Sequence, residues 1–137
     1  MECCQQNLSL LPVEFYFLLQ GLRQLPKETR SRLGRHPSSS GPCVLLHGGG
    51  CLLYDRRPII CRTHGLPLLI SEDGKQRRDC CPKNFAAKPL DHLPERDILH
   101  LDRLNALLVS VNMLFALKTG MESGGRIKTS RLAGEIL

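Results

Sequence analysis

Between Pro12 and Leu25 apolar side chains return every three or four positions, and Val13, Phe15, Leu18, Leu19 and Leu22 set one face of a helix. Pro26 ends that run because it has no N–H to continue it. The same proline suits the start of a second short helix, KETRSRL, which Gly34 stops. Both helices read as scaffold. Residues 36–42, HPSSSGP, are turn-formers and predict a loop. Apolar residues from Leu66 to Ile70 then precede Asp73-Gly74, the strongest hairpin signal in the chain. A two-residue turn there pairs Glu72 with Lys75, Ile70 with Arg77 and Pro67 with Cys80. It returns Cys80 and Cys81 to the neighbourhood of Cys61.

Asp91 to Pro94 reads as another helix start, with Glu95 and Asp97 in the first turn, where acidic side chains complement the helix dipole. This helix runs from about residue 94 to 118 and stops at Gly120. Its stripe of Ile98, Leu101, Leu104, Leu108, Val111 and Phe115 faces a core, and its second half, ALLVSVNMLFAL, is apolar nearly all round. Residues 121–137 are glycine-interrupted and basic, and read as a poorly ordered tail or a short docking helix anchored by Ile127, Leu132, Ile136 and Leu137.

The 137 residues suffice for one domain that buries roughly two-thirds of its unfolded surface. Seven cysteines change the picture: Cys3, Cys4, Cys43, Cys51, Cys61, Cys80 and Cys81 cannot all pair within one molecule. The apolar stretch from Leu8 to Leu19 is broken by Pro12 and Glu14 and follows no basic residue, so a secretory signal is not expected. A reducing cytoplasm, where dense cysteine points to metal before disulfides, is the expected compartment. The apolar run Ala106 to Leu117 is too short for a bilayer, so no membrane partner is expected. The net charge of +6 is scattered in small groups, and with no Trp and two Tyr there is little aromatic surface for stacking bases, which argues against nucleic acid.

The expected fold is therefore mainly α, with irregular metal-binding loops and one short β-hairpin. It is a single small domain over 1–120 stabilised by a cysteine-ligated metal centre, with helices at about 12–33 and 94–118 around the metal segment 43–81. Residues 121–137 form its tail. The centre of this reading is Cys43 to Cys61, CVLLHGGGCLLYDRRPIIC. Gly48, Gly49 and Gly50 permit a backbone turn whose N–H groups fold around a thiolate. Four thiolates around zinc or an oxidised 4Fe–4S core carry a net charge of about −2, which nearby arginines offset. Cys43, Cys51, Cys61 and Cys81 are the expected ligands, with Cys4 the first replacement and Cys3 and Cys80 in reserve. Arg57 and Arg62 are expected around the centre. His64 sits two residues past Cys61 at zinc-ligand spacing but reads as a surface residue, and no catalytic residue is assigned. Long irregular spacings and the Cys81-Pro82 ending favour an iron–sulfur cluster over zinc.

The run Cys51, Tyr54, Arg57, Pro58, Cys61 and Arg62, with a cysteine pair before it and a distal Cys-Pro after it, resembles the YkgJ-like cysteine-cluster family, a bacterial zinc- or iron-chelating domain. The resemblance covers about Cys3 to Pro82. It implies a metal site. The family's usual N-terminal C-x2-C-x2-C-C cluster is represented here only by Cys3 and Cys4. Three roles are compatible: an iron–sulfur or structural zinc protein acting as an interaction module, an accessory to a redox or methylase-like enzyme, and a metal carrier. Self-association is a further expectation, because Leu107, Met113, Leu114 and Leu117 lie outside the stripe and suggest a homodimer through the helix 95–118.

Overall fold

The computed structural model describes residues 2–31, 33, 41–85 and 89–135. In chain order its elements are β1 (Ser9–Leu10), α1 (Pro12–Gln24), α2 (Lys27–Ser31), β2 (Leu46–His47), β3 (Gly50–Cys51), α3 (Ile59–Thr63), β4 (Leu68–Glu72), β5 (Lys75–Asp79), β6 (Leu99–His100), α4 (Leu101–Thr119) and β7 (Ile127–Lys128), with short 3₁₀ turns between them. They fall into two units, one drawn from Met1–Pro58 and Asn112–Leu137, the other from Ile59–Val111.

The first unit is built on α1. Leu11 precedes it in an extended conformation and offers no side-chain cap, and Pro12 occupies the first helical turn, where its missing N–H costs nothing. The N–H of Val13 finds its acceptor far along the chain: Asn112 Oδ1 lies 3.1 Å away. Asn112 is 1% exposed, and its Nδ2 donates to the Ser123 carbonyl at 2.9 Å. One buried amide thus caps the start of α1 and holds the segment that leaves α4. The inner face of α1, Phe15, Leu18, Leu19 and Leu22, packs with Leu10, Val44, Leu45, Leu53 and Leu132 into an apolar core.

The C-terminal segment is part of this core. β7 pairs antiparallel with β1, Leu10 facing Ile127, and a 3₁₀ helix over Thr129–Glu135 follows. Leu132 is fully buried. Asn7 donates to Ser130 Oγ at 3.1 Å, while its Oδ1 accepts from the Thr129 hydroxyl at 3.0 Å. Of the two readings for residues 121–137, the described part is therefore a docked helix and not a loose tail; Ile136 and Leu137 lie outside the described residues.

Elsewhere in this unit the expected turn at Leu25-Pro26 separates α1 from α2, with Leu25 extended before the proline. Gly34, the expected stop of α2, and the loop 36–40 lie outside the described residues.

In the second unit β4 lies between β5, antiparallel, and β6, parallel. Asp73 and Gly74 have φ of 51° and 74°, the left-handed pair that a two-residue hairpin turn requires. Glu72 faces Lys75 and Ile70 faces Arg77, as the sequence predicts, but the ladder ends at Leu68 facing Asp79. Pro67 and Cys80 therefore remain outside it.

The helix expected from residue 94 begins instead at Leu101. Residues Glu95–Asp97 form a 3₁₀ turn, and Leu99 and His100 pair with Leu68 and Leu69. Leu99 N–H donates to the Pro67 carbonyl at 2.9 Å, a bond a helix starting at 94 would forgo. One guanidinium nitrogen of Arg78 donates to the carbonyls of Leu90 and Leu93, both at 2.9 Å, and fixes the turn before this strand.

α4 ends at Gly120, whose φ of 70° lets Met121 N–H reach back to the Ala116 carbonyl at 3.2 Å, a helix stop that glycine favours. Of its residues only Asn112 and Ala116 are buried. Leu101, Leu104, Leu108 and Phe115 of the expected stripe are half-buried, whereas Val111 is exposed.

The expected fold class needs correction. Among the described residues no group of three or more His, Cys, Asp or Glu could hold a metal ion, so the described residues do not form a domain stabilised by a cysteine-ligated metal centre. Three small sheets replace the single hairpin. The physical reason is that the cysteine-bearing segments are tied by backbone pairing and by the Leu and Phe core, neither of which needs a metal.

Two predictions follow from these contacts. Asn112→Ala leaves the Val13 N–H and the Ser123 carbonyl without their partner and should cost about 2–4 kcal/mol, read as a lower urea midpoint with an unchanged slope. An Asn112→Ala protein as stable as the parent would show that neither bond matters. The hydrogen bond and charge of Arg77, 3.0 Å away, hold the Glu72 carboxyl below its ordinary pKa. A depressed carboxylate adds stability above its unfolded pKa and loses it as pH falls through the folded one. Arg77→Gln should accordingly lower the urea midpoint at neutral and alkaline pH and leave it unchanged below the folded pKa of Glu72, so that stability falls less steeply on acidification than in the parent.

Candidate functional site

Cys4, Cys43, Cys51, Cys61, Cys80 and Cys81 are thiols of intermediate burial; the Cys3 side chain lies outside the described part. In the first unit three of them follow one backbone path. Cys43 N–H donates to the Cys4 carbonyl at 2.6 Å, and the Cys43 carbonyl accepts from Leu46 N–H at 2.9 Å. Leu46 in turn faces Cys51 across the β2–β3 pair. Cys43 and Cys51 both pack against the apolar core.

Gly48 and Gly49, at φ of 56° and 80°, supply the two-residue turn between β2 and β3, and Gly50 is the first residue of β3. The glycines that the sequence suggested as a cradle for a thiolate are thus used to close a hairpin. A narrow depression lined by Asn7, Pro42, Cys43, Val44, Thr129 and Ser130 does not admit a water molecule.

In the second unit Cys61 lies on α3, and Cys80 and Cys81 follow β5. The Cys80 thiol donates to the Cys81 carbonyl at 3.4 Å and lies 3.7 Å from that of Asn84. Asn84 N–H closes a turn onto the Cys81 carbonyl at 2.8 Å, and Asn84 Nδ2 donates to the Gly65 carbonyl at 2.7 Å. Asn84, which closes the turn after the cysteine pair, thus ties that turn to Gly65. Gly65 has φ of 91°, and a Cβ there would stand 2.6 Å from Asn84 Nδ2, so this close approach needs glycine.

The other expected site residues have structural partners or face water. Arg57 lies 3.7 Å above the Tyr54 ring and donates through Nε to the Tyr54 carbonyl at 3.1 Å. Arg62 and His64 are exposed. Arg56, which the sequence placed with Arg57 as a charge near the thiolates, lies 4.8 Å above Phe17 and donates to Gln24 at 2.8 Å. It crosses α1 at Gly21, where any Cβ would collide with the Arg56 side chain.

A different feature is more prominent. Leu107, Leu114 and Leu117 of α4 are 65%, 60% and 81% exposed, and Val109, Val111 and Met113 are also exposed. Positions 107, 110, 114, 117 and 121 follow the alternating three-and-four spacing of a helix-pairing seam. The sequence shows this half of the helix to be apolar nearly all round. The described residues leave its outer face to solvent, and the apolar run with a buried Asn112 inside it was the available signal.

No protein-family model, no curated protein and no solved structure matches the chain. No described helix is long and apolar enough to cross a membrane.

Gly65→Ala should push Asn84 away and free the Cys81–Asn84 turn. Alkylation of Cys80 and Cys81, followed by mass spectrometry, should then run several-fold faster than in the parent, and Asn84→Ala should do the same. Unchanged rates in both variants would mean the turn is held by other contacts.

Proposed function

We propose that this chain is a protein-interaction module that works by self-association through α4, forming a homodimer. The observation that carries this reading is the exposure of Leu107, Leu114 and Leu117 on one helix. Burying a leucine is worth about 1.5–3 kcal/mol, so six in a dimer supply about 9–18 kcal/mol. Association itself costs about 4–15 kcal/mol. The two terms are of similar size, which suits a weak and reversible dimer better than a permanent one.

Sedimentation over a concentration series tests it. The parent should pass from monomer to dimer, and Leu114→Glu should stay monomeric with an unchanged melting temperature. A parent protein that remains monomeric at several hundred micromolar would sink the proposal.

A second reading is supported by the resemblance to the YkgJ-like family and by the backbone hydrogen bond from Cys43 N–H to the Cys4 carbonyl, which sets those two residues side by side. In it the thiols carry iron, as an iron–sulfur cluster, or zinc, and pass it on without stabilising the fold. Support for it would be metal found after oxygen-free purification, reduced in Cys43→Ser and removed by a weak chelator with no change in melting temperature. Protein that holds no iron, sulfide or zinc under those conditions would end this reading.

A further inference from the structure

We propose that Arg56, Gln20 and Gln24, on the outer side of α1 in the first unit, form a binding site for a phosphate group. The site does not depend on the self-association reading. Arg56 Nη1 donates to Gln20 Oε1 at 3.3 Å and Nη2 donates to Gln24 Oε1 at 2.8 Å, while the guanidinium carbon lies 4.8 Å from the centre of the Phe17 ring. Positions 17, 20, 21 and 24 share one face of α1, and the arginine lies along it. It passes over Gly21, where any Cβ would strike Arg56 Cδ. Glycine weakens a helix interior relative to alanine, and here its missing side chain gives the guanidinium its resting place. The arginine has therefore already lost the side-chain freedom that capturing an anion would otherwise cost.

The hydrogen-bonding capacity left over is all of one kind. A guanidinium has only donors, so both glutamines turn their amide oxygens to it, and each keeps its NH2 group beside it. Among the described residues, neither those amide groups nor the remaining N–H groups of Arg56 have an acceptor, and no carboxylate lies within ion-pair distance of Arg56. Phe17, Gln20 and Gln24 are exposed and Arg56 is half-buried, so an anion reaches them from solvent. If the arginine only tied the 3₁₀ turn Tyr54–Arg56 to α1, a glutamate at position 24 would hold it equally well and cancel its charge. Neutral amides hold it instead and leave the charge in place.

The ligand follows from this donor set. A phosphate group offers three acceptor oxygens and close to two negative charges at neutral pH, so one oxygen can accept from each of the three side chains. A carboxylate has two oxygens and one charge and satisfies only part of the set. The planar fork of arginine also matches phosphate oxygens.

Nuclear magnetic resonance of the whole labelled chain tests the site. Sodium phosphate is titrated at neutral pH and constant ionic strength while the signals of Arg56 Nε–H and of the Gln20 and Gln24 side-chain amides are followed. They should shift saturably, whereas sodium acetate should leave them in place. Phenyl phosphate identifies the source: binding tighter than that of inorganic phosphate assigns the site to organic monoesters whose carrier reaches Phe17, and binding no tighter assigns it to the free ion. Arg56→Lys keeps the charge, loses the fork, and should weaken phosphate binding about tenfold. Gln24→Glu separates binding from structure, because the contact with Arg56 persists as an ion pair and the melting temperature should hold, while phosphate binding should fall at least about tenfold. Arg131→Gln removes an equal charge from an exposed position of the same unit and should leave binding as it is. The site is overturned by the absence of a saturable shift, by acetate acting as phosphate does, by an equal loss in Arg131→Gln, or by parental affinity in Gln24→Glu.

Discussion

The first unit depends on a polar bond inside an apolar surrounding. A helix start has N–H groups with no partner of their own, and α1 begins with Leu11 and Pro12, which bring no side-chain acceptor. Asn112 supplies one from the middle of α4. An amide buried this deeply is tolerated only when both its ends are bonded, and here the other end holds the carbonyl of Ser123. The result is directional in a way that leucine packing is not. Rotating α4 about its axis would break both bonds, so Asn112 fixes which face of α4 turns inward. It thereby decides which face is left outside.

That choice accounts for the contrast along α4. Its inward arc carries Asn112 and Ala116, and its outward arc carries Leu107, Leu114 and Leu117. Leu101, Leu104, Leu108 and Phe115 are half-buried, so apolar contact and the polar bond act on the same side of the helix, and the remaining leucines stay exposed.

Local features were readable before any coordinates. Asp73-Gly74 and Gly48-Gly49 mark turns because two consecutive left-handed residues are satisfied almost only by such pairs. Pro26 and Gly120 mark helix stops for similarly local reasons. What the chain alone did not show depends on distant partners. The start of α4 moved from residue 94 to Leu101 because Leu99 pairs with a strand some thirty positions earlier. Asn112 looked like an interruption in an apolar run, since its partner Val13 is far away in sequence. Cysteine spacing suggested one ligand set, yet spacing reports nothing about where thiols end up once Cys43 and Cys51 are drawn against a leucine core and Cys81 is held in a turn on Gly65.

The pairing of β1 with β7, with Asn7 clasped to Thr129 and Ser130, brings residues 7–10 against residues 127–130. Its consequence is temporal. On the ribosome, residues 59–111 emerge as an uninterrupted stretch whose sheet contacts are all internal, and that segment is free to fold as soon as it is out. The core around α1 has to wait for Leu132, which is made long after α1, while Phe15, Leu18 and Leu22 lack that partner. Contacts between distant positions are slow to form, and uncovered apolar helices invite premature association. The helix that waits longest for its core is therefore the one most in need of a chaperone's cover during synthesis.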